Sequence, residues 1–428
     1  MAFYKKLILI WLSFFSTGLE AQIKSLDYFI GQAKKNSPLI FEKKVQNNAM
    51  EVELKRLKAF YTQPKMSIDA GLLFAPIISA DNNSTRAQFV SAGATDYYGY
   101  DLAVSDGGQY QALLSVEQPL TGGKKMGIAS RNLAVSREIN EAEIKLTIYD
   151  IERIVGYQYL RCLQSQNQID VYSGLINLIN RELQIMQELL QNGIYKYSDY
   201  RQLRIELKNY QIFIEKSKSG YQQNLLDLNI ICGIKDTALV ALKDVDFSLK
   251  TRTGDSFFIR KYELDSLNLI SLQQLSELKY QPQLNLFANN GLNAVYLPGL
   301  NRLGFSFGLK FSWVLFDGKQ RNYSRQETDI LAQDIAFKKQ RFITENFIRR
   351  AKILNQINSI DKQLRMRYIQ KDEYDELIGI YKTELSQGQI SAIDFVNALR
   401  DIENLKQVII NLRMQKNALI NTYNYWNY

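Results

Sequence analysis

Residues 305–319 of the chain read FSFGLKFSWVLFDGK, and this stretch decides the fold. Its first eleven residues alternate in character, which is typical of a β-strand with two unlike faces. One face carries the large apolar side chains of Phe305, Phe307, Leu309, Phe311, Trp313 and Leu315, whereas the other is small, polar or short: Gly304, Ser306, Gly308, Lys310, Ser312 and Val314. The alternation stops at Leu315-Phe316-Asp317-Gly318, and no proline follows it. The sequence therefore predicts that a strand gives way to a long helix at Gly318.

The same change of pattern occurs earlier in the chain, at Leu120-Thr121-Gly122-Gly123. Three landmarks recur at one spacing of 195 residues: Gly123 and Gly318, Gly193 and Gly388, and Asp199 and Asp394. A fixed offset over some seventy residues indicates two copies of one structural unit.

The N-terminal segment is typical of an exported protein. Lys5 and Lys6 form a basic region, 7–15 is an apolar run, and 16–21 is a short polar exit. We interpret residues 1–21 as a signal peptide, cleaved after Ala21 or after Gly18. An uncleaved anchor is the alternative, although nine apolar residues are too few to span a bilayer.

Each repeat is predicted to contain a helix, two strands and a long antiparallel helical hairpin. The first repeat covers 22–232, with strands at 65–77 and 108–119 and a hairpin tip near residue 193. The second covers 257–428, with strands at 283–290 and 303–316 and a tip near residue 388. Residues 233–256 lie between them and are predicted to form a small mixed element with a short strand around 245–249. The fold class is therefore α+β, with helices of about 67 residues that would each be ~100 Å long.

Composition limits the chemistry that the protein can perform. The chain has no histidine and two cysteines, so the commonest general base, the commonest metal ligand and a thiolate zinc site are missing. We expect no enzyme activity, no cofactor and no metal. The net charge of +9 is interspersed along the chain, which argues against a nucleic-acid partner.

The four strands point to a membrane. Each has an apolar face of ~5–6 residues, the length that crosses ~25 Å of hydrocarbon in an outer-membrane barrel. Four strands cannot close a barrel, and open edges in lipid would leave backbone groups unpaired. Several chains would have to contribute strands to one barrel, with Phe305, Phe307, Phe311 and Trp313 facing lipid. A small soluble antiparallel sheet is the alternative.

The order of these features resembles the TolC-like family of outer-membrane channels, over essentially the whole mature chain. The resemblance rests on the two strand–helix junctions, on Asn36-Ser37-Pro38, and on the tip motifs Asn192-Gly193-Ile194 and Gln387-Gly388-Gln389-Ile390-Ser391. It implies a homotrimer whose twelve strands form one barrel in the cell outer membrane and whose coiled-coil helices extend into the periplasm. It also implies a passive exit duct, opened by a periplasmic adaptor (membrane fusion) protein and served by an inner-membrane pump of the resistance-nodulation-division or ABC type.

The resemblance assigns roles to the hairpin tips. Residues 192–194 and 387–389 would contact the adaptor, and acidic residues just after the second tip would ring the periplasmic entrance. Asp394 occupies one such position, Asn397 stands where a second acid is often found, and Asp199 is the equivalent in the first copy. The alternative for both aspartates is helix N-capping. Folding the hairpin about its tip would set Cys162 and Cys232 ~8 Å out of step, so we expect free thiols.

Two other functions remain open from the sequence. The same duct could serve type I protein secretion instead of efflux, since the pump selects the cargo. A soluble periplasmic coiled-coil scaffold is the second alternative. It differs from a barrel protein in being extractable without detergent.

Overall fold

A computed structural model of the protein describes residues 23–81, 85–88, 94–99, 108–251, 256–294 and 303–427. The predicted signal peptide, most of the loop after the first strand, and Pro298 lie outside these ranges. The helices are α1 Leu26–Asn36, α2 Pro38–Thr62, α3 Gly122–Gln191, α4 Tyr197–Cys232, α5 Phe257–Ser276, α6 Gln320–Ser386 and α7 Ala392–Trp426. The strands are β1 Lys65–Phe74, β2 Ile77–Ser79, β3 Arg86–Gln88, β4 Tyr97–Tyr98, β5 Gly108–Pro119, β6 Gln283–Ala294 and β7 Leu303–Ser312.

The described parts of the chain form two compact units. The helical unit comprises Met1–Lys43, Ala142–Arg260 and Lys339–Tyr428, and the sheet unit comprises Lys44–Glu141 and Lys261–Lys338. Each unit draws on both predicted repeats, so the units and the repeats do not coincide. No helix in the described ranges is both long and apolar enough to cross a membrane.

Heptad spacing explains the core of the helical unit. In α3, Tyr172, Ile179, Leu183 and Met186 are buried, as the step of three and four residues predicts. In α6, the same spacing buries Ile353, Ile357, Ile360 and Leu364. Burying one such side chain contributes about 1.5–3 kcal/mol, so these seams hold the long helices against their neighbours.

The break before α2 follows from its proline. Asn36 is the last residue of α1 and Pro38 the first of α2, because proline is tolerated in the first turn of a helix but not inside one. The Asn36 amide donates to the carbonyl oxygens of Cys232 at 2.9 Å and Gly233 at 3.1 Å. The end of α4 is thereby fixed against the end of α1.

The two cysteines are free thiols, as predicted, and both are buried. Burial raises the pKa of Cys162 and the pKa of Cys232 to about 12. Since the thiolate is the reactive form, both are inert packing residues at neutral pH.

The predicted short strand around 245–249 is wrong. Residues 244–251 form no strand, and side chains of α7 bond to their backbone instead. Asn417 Oδ1 accepts the Phe247 N–H at 2.9 Å. Asn424 accepts the Lys250 N–H and donates to the Ser248 oxygen, both at 2.9 Å, and Asn427 donates to the Lys250 oxygen at 2.8 Å. We name Asn417, Asn424 and Asn427 the asparagine row.

The sheet unit contains a four-stranded antiparallel sheet in the order β1-β5-β6-β7. Its registers run from Lys65 opposite Glu117 to Phe74 opposite Gly108, and from Gln283 opposite Ser312 to Leu292 opposite Leu303. A small sheet of β2, β3 and β4 follows β1.

Three strand boundaries differ from the sequence prediction. The strand predicted at 283–290 runs on to Ala294, because β5 and β7 both continue alongside it. The first strand stops at Phe74, and Ile77–Ser79 pairs in the small sheet instead. The last strand stops at Ser312, so the alternation from Trp313 to Leu315 continues past the hydrogen-bonded ladder. The partner β6 begins at Gln283, immediately after Pro282, and offers no residue for pairing beyond Ser312.

Candidate functional site

The first hairpin tip closes α3 with a tight backbone turn. The Gly193 N–H donates to the Leu190 oxygen at 3.1 Å, and the Ile194 N–H donates to the Leu189 oxygen at 3.0 Å. Gly193 has a φ of +72°. These two bonds satisfy carbonyls that the end of a helix leaves unpaired.

The second tip repeats that turn 195 residues later. The Gly388 N–H donates to the Leu385 oxygen at 3.1 Å, the Gln389 N–H donates to the Glu384 oxygen at 2.8 Å, and Gly388 has a φ of +69°. The predicted tip residues Asn192, Gly193 and Ile194, and Gln387, Gly388 and Gln389, therefore occupy equivalent places in two similar turns.

The two tips touch each other. A Cβ added at Gly388 would lie 2.3 Å from the Cγ2 atom of Ile194, which is closer than carbon atoms approach. Only glycine fits at this position, both for its φ and for this approach. We refer to residues 191–196 and 387–391 together as the paired tips.

Tyr195 joins the paired tips by hydrogen bonding. Its hydroxyl lies 2.7 Å from the Ile390 oxygen and 3.1 Å from the Leu385 oxygen, to which it can donate. The side chain is only 8% exposed, and burial raises its pKa, so the hydroxyl stays protonated. Sequence analysis missed this residue, because nothing in the spacing of the first tip indicates a partner 190 residues away.

The predicted entrance acids lie in the first turns of two helices. Asp199 accepts the Lys196 N–H at 3.2 Å, at the start of α4. At the start of α7, the Ser391 hydroxyl donates to Asp394 at 2.6 Å, and its Oγ accepts the Asp394 N–H at 3.2 Å. Asp394 and Asn397 are exposed. Asp199 is thus part of a helix cap, Ser391 caps α7 and bonds the Asp394 carboxylate, and a role of these residues at a pore entrance stays a prediction.

A polar network ties the two hairpins together above the tips. Arg400 of α7 donates to Glu206 of α4 through Nη2 at 2.7 Å and through Nε at 3.2 Å. The Glu206 side chain is 3% exposed, so this pair is shielded from solvent on the acidic side. The Tyr172 hydroxyl of α3 donates to Glu403 of α7 at 2.9 Å. Three helices of both hairpins therefore meet at these charges.

Glu403 is the carboxyl group of this network whose pKa is raised. Burial is the main cause that raises its pKa, and the nearby Glu206 carboxylate raises it further, against the lowering effect of the Tyr172 hydrogen bond. Arg400 pairs with Glu206, whereas Glu403 accepts its hydrogen bond from Tyr172. Sequence spacing did not identify any of these residues as a site.

In the sheet unit, the predicted lipid-facing residues are exposed. Phe305, Phe307 and Phe311 lie on β7 and Trp313 just beyond its end, with Phe307 75% exposed. The strand ladder gives β1 and β7 only one neighbour each among the described residues. A lipid-facing role for these aromatics stays a prediction.

The second strand–helix junction is built on Asp317. Its carboxylate accepts the Arg321 N–H at 2.8 Å and a hydrogen bond from the Tyr280 hydroxyl, and these contacts lower its pKa. Gly318 has a φ of +70°, and α6 begins two residues later. Leu315, before the junction, is exposed.

The first junction has a different geometry, so the expectation of one repeated junction is wrong at this level. Helix α3 begins at Gly122 itself, and a Cβ there would lie 1.7 Å from the Tyr61 oxygen. Leu120 still extends the sheet, since its N–H donates to the Leu284 oxygen at 2.9 Å. Gly122 is thus required for close approach, whereas Gly123 is exposed and takes an ordinary helical place.

Within the described ranges, no group of three or more cysteine, aspartate or glutamate side chains is arranged to hold a metal ion. The described geometry offers helix ends, contacts between hairpins and an exposed apolar sheet face.

Comparison with solved structures identifies the fold. The chain resembles CusC, in a structure describing transmembrane channel formation, with a TM-score of 0.69 and 12% identity over 94% of this chain and 91% of that one. It resembles the CmeC outer membrane channel of Campylobacter jejuni with a TM-score of 0.66 and 13% identity, covering 94% and 85% of the two chains. It resembles the outer membrane protein VceC of Vibrio cholerae with a TM-score of 0.67 and 12% identity, covering 94% and 96%. No family model matches the sequence, and no curated protein sequence matches it. The predicted TolC-like fold is confirmed.

Proposed function

We propose that the chain is one subunit of a trimeric outer-membrane exit channel of a tripartite efflux pump. Three chains would contribute four strands each to a twelve-stranded barrel in the outer membrane, and their hairpins would form a tunnel in the periplasm. The shared fold with channel proteins supports this proposal.

The observation that carries the proposal is the unfinished sheet. Within the described ranges, its two edge strands have no partner on their outer sides, and an apolar row made by Phe305, Phe307, Leu309 and Phe311 is exposed on β7. In lipid such edges must be paired, because an unpaired backbone group costs several kcal/mol there. Closure would come from pairing β1 of one chain with β7 of the next, which are the two edge strands of the sheet.

The paired tips suggest how the periplasmic end would be gated. Tyr195 and the Arg400–Glu206 pair hold the two hairpins of one chain together. Opening would separate contacts of this kind, and a periplasmic adaptor that binds residues 192–194 and 387–389 would stabilise the open arrangement. An inner-membrane pump of the resistance-nodulation-division or ABC type would then supply the cargo.

Two measurements on the detergent-purified mature protein test this function. Sedimentation should give the mass of three chains, and planar lipid bilayers should show discrete conductance steps. A monomer that leaves the cell envelope without detergent and gives no conductance would favour the soluble scaffold and refute the channel.

A further inference from the structure

A cavity of about 300 Å³ lies at the end of the sheet where β1 and β6 begin and β5 ends. Lys65 and Gln283, the first residues of their strands, line it together with Glu117 and Pro119 of β5. The first turn of α3 forms another wall. The tip region and the proposed gate do not use this cavity.

Lys125 is the unusual residue of the cavity. The residue is only 9% exposed, and its Nζ makes no hydrogen bond or ion pair with any residue in the described ranges. Burial lowers its pKa, as expected for an ammonium group without a compensating charge. The Nζ atom is not closed off from solvent, so the ammonium group is open to a ligand that enters the cavity.

The other charges of the cavity do not neutralise Lys125. Lys65 lies 4.0 Å from the ring centroid of Phe60, and Lys279 lies 4.9 Å from that of Tyr280. Glu117 is the one carboxylate of the lining, and it accepts a hydrogen bond from Asn285 at 2.6 Å. Three ammonium groups therefore share a small space with one carboxylate.

The start of α3 adds to this positive potential. Gly122 and Thr121 line the cavity, so it lies against the N-terminus of a 70-residue helix. A helix N-terminus presents unpaired N–H groups and favours negative charge. Lys125 is the independent observation that turns a favourable helix end into an anion site.

We propose that this cavity binds the phosphate group of a membrane phospholipid. We assign the phosphate to a lipid because of the depth at which the cavity would lie in the membrane, and this step rests on the proposed function. Exposed apolar side chains of the strands begin beside the cavity, at Met66 and Ile68. Exposed Trp313 and Phe316 follow the end of β7, which pairs with the start of β6 at the same end of the sheet. Aromatic residues flank the apolar band of a barrel at the level of the headgroups.

Phosphate fits the donors better than the alternatives. A cation is excluded by three ammonium groups, and a neutral ligand would leave Lys125 uncompensated. A phosphate diester of a lipid carries one charge and oxygens that can accept from several donors at once. Its chains would extend along the apolar face of the strands.

The test compares Lys125→Gln with Lys124→Gln. Lys124 is exposed, so its substitution removes the same charge from the same helix turn without altering the cavity lining. The detergent-purified oligomer is titrated with phosphatidylglycerol and bound lipid is counted by native mass spectrometry. We expect about tenfold weaker binding for Lys125→Gln, the effect of losing one charge-assisted hydrogen bond. Lys124→Gln should bind as the unaltered protein does.

Equal binding by the two variants would overturn the site. Should Lys125→Gln fail to fold, Lys65→Gln gives the same comparison from the other wall. A second titration with inorganic phosphate alone separates the sources: phosphate binding that depends on Lys125 without lipid binding would overturn the assignment to a phospholipid.

Conductance of the same preparations distinguishes this inference from the proposed function. If the trimers conduct but their binding of phosphatidylglycerol does not depend on Lys125 or Lys65, the lipid site is refuted and the proposed channel function stands. Preparations that bind the lipid through Lys125 but never conduct would refute the channel and support the site.

Discussion

Replacing Tyr195 by phenylalanine removes one hydroxyl and changes nothing else at the paired tips. That hydroxyl reaches the Ile390 oxygen at 2.7 Å and the Leu385 oxygen at 3.1 Å. The Leu385 oxygen keeps the Gly388 N–H, so the loss falls mainly on the bond to Ile390. A neutral hydrogen bond contributes about 1 kcal/mol net, and a carbonyl left without its donor in a buried site costs about 1–3 kcal/mol.

Because water can reach the rim of the tips, we expect Tyr195→Phe to destabilise the joined tips by about 1–2 kcal/mol relative to the separated tips. This is roughly a 5–30-fold rise in the ratio of separated to joined tips. Single-channel recording should show a higher open probability, and hydrogen exchange should show faster exchange at residues 192–195 and 387–390.

Tyr197→Phe is the matched control. Tyr197 is 61% exposed and stacks on Tyr200, and its hydroxyl has no partner among the described residues. Identical open probability and exchange rates in the two variants would refute the reasoning that Tyr195 holds the tips together.

Three further outcomes follow from the charges and faces described above. Asp394→Asn keeps the capping geometry but removes the charge, so single-channel conductance or cation block should change; unchanged values would remove Asp394 from the pore. The pKa of Glu403 is raised in the folded protein, so the protonated carboxyl stabilises the fold at low pH and this stabilisation is lost as the pH rises through that pKa. Thermal unfolding should therefore show a larger fall in Tm from pH 5 to pH 7 for the unaltered protein than for Glu403→Gln. Equal falls in Tm would contradict the assignment. Phe307→Lys should cost about 2–4 kcal/mol and reduce assembly in lipid, whereas Ser306→Lys on the opposite face should be tolerated, and equal yields of detergent-extracted oligomer would exclude a lipid contact at Phe307.

The helices could be predicted from the sequence because their signals are local. Pro38 ends one helix and begins the next, and the heptad through Ile353 and Ile357 leads directly to a buried seam. Turn residues also act locally, so Gly193 and Gly388 mark the two tips.

Strand ends could not be predicted as well, because they depend on the partner. The alternation continues through Trp313, but the ladder stops at Ser312 because β6 begins opposite it. The segment 245–249 has strand-like alternation and yet finds side-chain amides instead of a second strand. Periodicity describes faces and does not say which backbone lies alongside.

The contacts that define the candidate site are further from prediction. Glu206 and Arg400 are 194 residues apart, and neither has a distinctive neighbour. Lys125 is one of two adjacent lysines, and only folding separates the buried one from the exposed one. Such pairs follow from how hairpins pack, which spacing within one helix does not determine.

The asparagine row has a consequence for how the sequence around residues 244–251 can vary. Asn417 and Asn424 grip main-chain N–H and C=O groups, which every residue other than proline offers alike. Adding or deleting a single residue would therefore shift these N–H and C=O groups away from the amides that bind them. The side chains are restricted separately, because Val245 and Phe247 pack against the helical core and Asp244 and Asp246 pair with Arg413. In descendants of this gene, that segment should stay constant in length even where an exposed position such as Leu249 changes.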